Sequence, residues 1–557
     1  MKPFAAPVED ILFTLNHVVG TADLPDWDAE FASEIAGHFA AFAEGEIAPL
    51  DEPGDLEGCT LTDGRVAMPA GFKDLYRSYA EQGWPGLTIP EEFGGQGMGA
   101  MMLAITSEIF SGANHSMQMV AGLVPGAART LTRFGTAEQQ ARYLPSLASG
   151  ETLATMCLTE PGAGSDLSRV RCRASADGDG WHITGEKIFI SGGDQDMSDK
   201  VLHLVLARTS DNGIKGLSLF LCPCTRADGS RNAVTVTRIE EKMGLHASPT
   251  CQLAFDGAEA ELIGAEGQGL MAMFTMMNHA RSDVALQGVA HAAHAYDVAA
   301  SYAAERQQGR GADGQPVTLD GHADVRRMLD EIDAGALGAR AIAHLAFVTM
   351  EKGDNPDLVE FLTPLAKVSG TEAGIRGAEL GVQVLGGYGY LREYRLEQTY
   401  RDARITAIYE GANGIHERML ATRLLGTPPA EAFAAFMAAE GKEAEAVAAA
   451  LEGWNLARKQ LLDNPDPTAF AHEFYLLTRD TLLTALWSRV LRAASAHSDP
   501  QRLTRVATRQ LEVIAAMRPA RLALLGVAQT AGAQPSGAGE ETCAVWLRKF
   551  TVEQGER

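Results

Sequence analysis

The sequence predicts a mainly α-helical protein with one small central β domain set between helical units. Three observations predict it. Residues 1–155 carry Ala, Glu, Leu and Met at helical spacing; alternation of apolar and polar residues then takes over; helical spacing returns after Gly269. The chain has 557 residues, enough for about three to five units at ~100–200 residues each. The order reads as an N-terminal helical domain (1–155), a middle β domain (156–265), a helical bundle (266–427) and an additional C-terminal helical domain (428–557).

Each element has its own signal. Pro53-Gly54 and Gly94-Gly95 break the first helical stretch. Residues 170–175 and 181–191 alternate around Asp177-Gly178-Asp179-Gly180, the pattern of a hairpin. Residues 201–207, 217–221 and 234–239 continue as strands, and the β texture ends near residue 262. Leu270, Phe274 and Met277 then form an apolar helical stripe, and Val325, Met328, Leu329 and Ile332 form another. A third helix runs from about residue 357 to the stop at Gly386-Gly387. Pro428-Pro429 marks a break before the last unit, which is rich in Ala, Leu and Arg.

Apolar residues make up 46% and charged residues 21%, which suits a packed core and opposes disorder. The net charge of −25 serves solubility and repels phosphate backbones and anionic headgroups. Nucleic acid and stable membrane association are not expected, and any anionic ligand needs a local basic or amide-lined pocket. No run reaches the ~18 uninterrupted apolar residues of a membrane span. The opening MKPFAAPVEDILF carries Glu9 and Asp10 and does not read as a signal peptide. Seven scattered cysteines without a CxxC pair point to a reducing, cytoplasmic setting. His291, His294 and Asp297 lie close on one helix, but no further His or Cys spacing supports a metal site, so they read as a polar helix face. Gly95, Gly97 and Gly99 open no βαβ unit, and neither a P-loop nor a GxSxG elbow is present.

Three segments carry chemistry. Residues 156–166, MCLTEPGAGSD, let a ligand approach the backbone and offer the hydroxyls of Thr159 and Ser165. Residues 188–193, IFISGG, set an aromatic beside a hydroxyl at a strand end, which can flank a flat ring and bond its edge. Residues 383–390, QVLGGYGY, precede 400–405, YRDARI, and 408–415, IYEGANGI. A lone carboxylate such as Glu410 in that apolar, Gly-flanked run is costly unless paired or functional, and burial raises its pKa into the range of a general base.

Together these segments resemble the acyl-CoA dehydrogenase family, in its order and spacing. Gly94-Gly95-Gln96-Gly97, Lys215-Gly216-Leu217-Ser218 and Ala304-Glu305-Arg306-Gln307-Gln308-Gly309-Arg310 match between them, so the resemblance spans residues 30–425. Residues 57–61, EGCTL, and 324–329, DVRRML, are similar to a longer branch with an added C-terminal helical domain, which includes 3-methylmercaptopropionyl-CoA dehydrogenases. The resemblance implies an N-terminal helical domain, a β-barrel-like middle domain and a helical bundle. It also implies FAD, which carries the redox step.

By that resemblance the flavin rests against Met156, Leu158 and Thr159, Phe189 flanks its ring, and Ser191 reaches the N5 edge. Arg306 and Gln308 meet the FAD phosphates or adenosine from one subunit, and Gln383, Gly386 and Gly387 from its partner, so a homodimer is expected. Ala412 and Asn413 adjoin the cofactor, with Ala412 where Thr is common. Ser165, Asn278, Arg281 and Gly411 line the CoA or acyl site. Glu410 is the base that takes the α-proton to give the trans-2-enoyl-CoA. The position before Arg281, where some members carry the base, holds Ala280, which cannot accept a proton. In the family the thioester oxygen is held by the base's own backbone N–H and a ribityl hydroxyl, and electrons leave to an electron-transfer flavoprotein. The branch suggests a short or medium acyl group such as 3-methylthiopropionyl. The alternatives are a long-chain acyl-CoA dehydrogenase, an acyl-CoA oxidase, or a helical scaffold without activity, which the intact Glu410 opposes.

Overall fold

The computed structural model describes residues 3–178, 180–311, 314–442 and 444–527. Asp179 of the expected turn, Cys543, and residues 528–557 of the C-terminal domain lie outside them. The N-terminal domain comprises α1 (Val8–Phe13), α2 (Ala29–Phe42), α3 (Asp51–Glu57), α4 (Phe72–Glu81), α5 (Ala100–Ala121), α6 (Val124–Phe134) and α7 (Ala137–Ala148). A short hairpin, β1 (Thr60–Thr62) and β2 (Arg65–Ala67), interrupts them. Asp28 accepts the N–H groups of Glu30 and Phe31 and starts α2; Thr136 and Gln139 close a capping box on α7. α5 kinks at Asn114, whose Oδ1 accepts the Met117 N–H and restarts the helix.

The middle domain comprises β3 (Thr152–Cys157), β4 (Arg173–Asp177), β5 (Gly180–Ser191), β6 (Lys200–Arg208), β7 (Leu217–Pro223), β8 (Val234–Ile239) and β9 (Thr250–Ile263). β4 pairs with β5, β5 with β9, β9 with β7, β7 with β6, and β6 touches β4 again. That ring bears out the β-barrel-like expectation. β3 joins β6 in parallel and β8 lies on β9. Two features differ from the sequence reading. The strand opening this domain begins at Thr152, ahead of residue 156, because β3 is almost wholly buried and does not alternate. β9 was not foreseen, because Asp256-Gly257 in its middle reads as a turn while Gly257, with φ +69°, instead bends a continuing strand.

The bundle comprises α8 (Gly269–Glu305), α9 (Ala323–Lys352), α10 (Pro356–Leu385), α11 (Leu396–Arg404) and α12 (Asn413–Ala421), with a hairpin of β10 (Gln307–Arg310) and β11 (Pro316–Thr318) after α8. α8 and α10 cross backbone to backbone: a Cβ on Gly288 would lie 2.2 Å from the Gly370 carbonyl oxygen. α9 is long and apolar enough to cross a membrane, but 94% of its apolar window is buried in the protein, so it serves as a core helix.

α13 (Pro428–Gly441), α14 (Glu445–Leu462), α15 (Ala471–Ala493) and α16 (Pro500–Leu524) form the C-terminal domain. Pro428 occupies the first turn of α13, so the expected break is also a helix start. Phe433 stacks on Phe361 of α10 at 4.6 Å, and Trp454 packs edge-on to Phe433. The Trp454 indole N–H donates to Thr478 at 2.9 Å.

Candidate active site

Glu410 lies between α11 and α12 with φ +53°, and Gly411 follows at φ +95°. Two successive left-handed residues turn the chain sharply, a conformation that L side chains rarely adopt outside functional sites. The surroundings hold it there. The Glu410 carbonyl accepts from Arg281 Nε at 3.2 Å and faces His416 Nε2 at 3.1 Å. The Gly411 carbonyl accepts from Lys367 Nζ at 2.8 Å, and the same ammonium reaches Asn413 Oδ1 at 2.9 Å. A Cβ on Gly411 would lie 2.8 Å from His416 Nε2, so only glycine fits. Among the described residues, no backbone or side-chain acceptor takes the Glu410 N–H.

The electrostatics suit a base. Burial pushes the Glu410 carboxyl up to about 7, opposed by the Arg281 and Lys367 cations and aided by Asp283. Burial brings the Lys367 ammonium down to about 7 and the His416 imidazole down to about 3. A carboxyl balanced near neutral pH combines an accessible anion with real proton affinity.

The other expected residues fall into three groups. Arg281 and Asn278 join Glu410 and Gly411, with Arg281 Nη1 donating to Asn278 Oδ1 at 3.0 Å. Asn413 joins through Lys367, and Ala412 caps α12 as an exposed residue.

Met156, Leu158, Thr159, Ser165, Phe189 and Ser191 belong to β3, the loop after it and β5. The Ile188 N–H donates to the Thr159 carbonyl at 2.9 Å, which ties the loop to the strand. The β5–β9 ladder slips between Lys187 and Ile190, and there Phe189 adopts φ +58° and is 60% exposed. A bulge that lifts an aromatic off the barrel prepares a face for a flat ring. Glu160 fixes the loop beneath: it accepts from the N–H groups of Arg171 and Cys172 and from Lys187 Nζ at 2.8 Å.

Arg306 and Gln308 end α8 and open β10, and both are exposed. Gln383, Gly386 and Gly387 end α10, also exposed, and the Arg306 guanidinium lies 5.6 Å from the Tyr388 ring of the same chain. Ideal Cβ atoms at Gly162, Gly164, Gly386, Gly387 and Gly414 would meet nothing within 4 Å. These open backbones, with the exposed Phe189, fit a ligand that has a flat ring and a long polar arm.

Lys367, Asp283, Tyr409, Gln287, His115 and His416 were not foreseen. Lys367 is a single charge in an apolar helical run, and Asp283 follows Arg281 and Ser282 at the head of one, which were their only signals. His291 corrects a reading: it is buried, with Nε2 2.8 Å from His115 Nδ1, so it faces α5 and not solvent. Glu372, Glu417 and His472 bring ligand atoms within 4.8 Å of one another, but Tyr475 OH donates to Glu372 at 3.0 Å and Arg479 lies 3.7 Å from it. They read as a polar joint between α10, α12 and α15.

Comparison with known proteins supplies the context. Models of the acyl-CoA dehydrogenase N-terminal, middle and C-terminal domains match residues 30–151, 155–258 and 267–425. The chain is 40% identical to a 3-methylmercaptopropionyl-CoA dehydrogenase of Ruegeria pomeroyi over 80% of this chain and 81% of that one. Butyryl-CoA dehydrogenase of Megasphaera elsdenii superposes with a TM-score of 0.63 at 25% identity, covering 72% of this chain and all (100%) of that one. A chain from the structure of the electron transferring flavoprotein of Acidaminococcus fermentans superposes with a TM-score of 0.63 at 27% identity, covering 72% and 100%.

Proposed function

The chain belongs to the acyl-CoA dehydrogenase family, whose members are FAD flavoproteins, and we propose on that premise that Glu410 removes the α-proton of a short acyl-CoA thioester. The carrying observation is the Glu410-Gly411 turn. Arg281, His416 and Lys367 draw its carbonyls one way, and the Glu410 N–H has no acceptor among the described residues. That N–H suits a thioester oxygen, where negative charge develops as the α-proton leaves. The Glu410 carboxylate takes the proton, the Cα–Cβ double bond forms, and FAD supplies the acceptor for the β-hydride. Phe189 and the loop held by Glu160 and Lys187 would hold the flavin ring.

A short acyl group is supported by the 3-methylmercaptopropionyl-CoA and butyryl-CoA relatives. An electron-transfer flavoprotein as oxidant is supported by the Acidaminococcus likeness. A homodimer is supported by the exposed end of α10, where Tyr390 is 84% exposed beside Gly386 and Gly387. The reducing setting inferred from the cysteines favours the cytoplasm. Anaerobic titration with butanoyl-CoA and 3-methylthiopropionyl-CoA tests the central reading. Bleaching of the bound flavin is expected with both. A protein that retains FAD and bleaches with no acyl-CoA would overturn it.

A further inference from the structure

A half-buried carboxylate that the chemistry above does not use belongs to a network that ends on the chain neighbour of the base. Asp283 sits on α8, and its oxygens accept from Ser107 Oγ, from Gln118 Nε2 at 2.7 Å and from Gln287 Nε2 at 3.2 Å. All three donors are neutral. No Lys, Arg or His lies within ion-pair distance of it among the described residues. Gln287 Nε2 also donates to Gln118 Oε1 at 2.9 Å, and Gln287 Oε1 accepts the Tyr409 hydroxyl at 2.5 Å. Tyr409 is the chain neighbour of Glu410. The network therefore runs from the base across the gap between α8 and α5.

On its far side Asp283, Gln118 and Ser107 border a cavity whose other walls include Phe39, Tyr79 and Leu103. Those walls would welcome a hydrocarbon chain; Asp283 would not. A half-buried charge without a counter-charge keeps part of its hydration, and an alkyl chain pressed against it strips that solvent while offering no hydrogen bond.

We propose that Asp283, held by Ser107, Gln118 and Gln287, is a specificity-determining residue: a polar wall that admits short acyl groups to Glu410 and turns away long unbranched ones. The inference rests on the reading of Glu410 as the base and names what restricts the substrate. The wall is a unit. Gln287 both donates to the carboxylate and holds Tyr409, so the limit on chain length is tied to the residue that precedes the catalytic turn.

Stopped-flow flavin reduction with butanoyl-CoA and dodecanoyl-CoA tests it, in the wild type, Asp283→Asn and Asp283→Leu, each loaded with FAD. The binding of both thioesters to Glu410→Gln, with and without Asp283→Leu, gives a second readout. Wild type is expected to favour butanoyl-CoA by at least about 100-fold, the scale on which pockets discriminate by size. Asp283→Leu narrows that ratio by about tenfold or more through the dodecanoyl arm, in rate and in affinity, and Asp283→Asn narrows it less. Equal wild-type rates on the two thioesters would overturn the inference. So would a ratio that stays the same in both variants. Bleaching with no thioester at all would instead sink the reading of the site on which it depends.

Discussion

At the scale of single residues, Glu410 combines three demands: a carboxylate, a left-handed backbone and proton affinity near neutrality. Glu410→Gln keeps the size and the N–H but removes the base. Flavin reduction at saturating acyl-CoA should fall by about 10²–10⁴-fold, while FAD content and acyl-CoA binding persist. Near-normal reduction would place the base elsewhere. The pH dependence follows from the same shift. The ionised carboxylate is the active form, so the rate should rise with pH and level off above about 7. Arg281 and Asp283 on α8, Lys367 on α10 and the neighbouring Tyr409 act on this group by charge, while His416 on α12 faces the Glu410 carbonyl. Lys367 stabilises the anion, so Lys367→Met should move the midpoint to higher pH, and Lys367→Arg should keep it near the wild-type position. A profile unmoved by Lys367→Met would reduce Lys367 to a structural anchor. The base was legible in the sequence because a glutamate between Tyr409 and Gly411 is locally odd. Lys367 and Asp283 were not, because helical periodicity explains their neighbours and only tertiary packing shows that α8 and α10 cross closely enough to bring them to Glu410.

At the scale of elements, what could be read depended on how local the signal was. The hairpin of β4 and β5, the starts of α8 and α10 and the stop at Gly386 all came from short-range patterns. Closure of the barrel did not, since β6 meets β4 and β7 through pairings that no local pattern encodes. The bulge at Phe189 was equally hidden: the sequence offered an aromatic beside a serine, and the register slip supplies the reason the ring stands clear. The loop facing that ring depends on one buried ion pair. Lys187 and Glu160 have side-chain exposures of 0% and 6%. Removing the lysine leaves the Glu160 charge to two backbone amides, and breaking a buried pair in this way costs about 3–5 kcal/mol. Lys187→Met should therefore lower the unfolding midpoint and also weaken FAD retention, because residues 158–172 lose their anchor. Denaturant melts together with flavin released on gel filtration would check both. Lowered stability with unchanged flavin retention would separate the loop from the cofactor.

At the scale of the whole molecule, the C-terminal domain is bound into the rest of the chain by charge as well as by aromatic packing. Arg502 on α16 donates to Asp10 of α1 at 2.9 Å and to Asp333 of α9 at 2.7 Å, and His497 Nε2 lies 3.0 Å from Asp10. The N-terminal helix, the bundle and the last described helix thus meet at one guanidinium. Asp333 is 1% exposed, so its carboxylate has no recourse to water if that partner is lost. Burial already pushes Asp333 up, while the His497 and Arg502 contacts hold Asp10 down against its own burial. Arg502→Leu should cost about 3–5 kcal/mol, the range for stranding a buried partner. Adding Asp10→Asn and Asp333→Asn to it should recover part of that loss, because no unpaired charge then remains; a sum of independent penalties would instead make the triple variant the least stable. Acidification should weaken the joint as well. A carboxyl held down in the folded protein contributes stability above its unfolded value of 3.8 that disappears as pH falls further, and Asp10 is such a group. None of these residues touches Glu410 or its neighbours, so flavin reduction at 25 °C and saturating substrate should stay within about twofold of wild type in every variant that folds, as expected for sites without shared partners. Thermal melts beside stopped-flow reduction would show it. A large loss of rate in a folded, FAD-replete Arg502→Leu protein would mean that the C-terminal domain shapes the catalytic turn through α12, against the separation of stability and chemistry argued from these contacts.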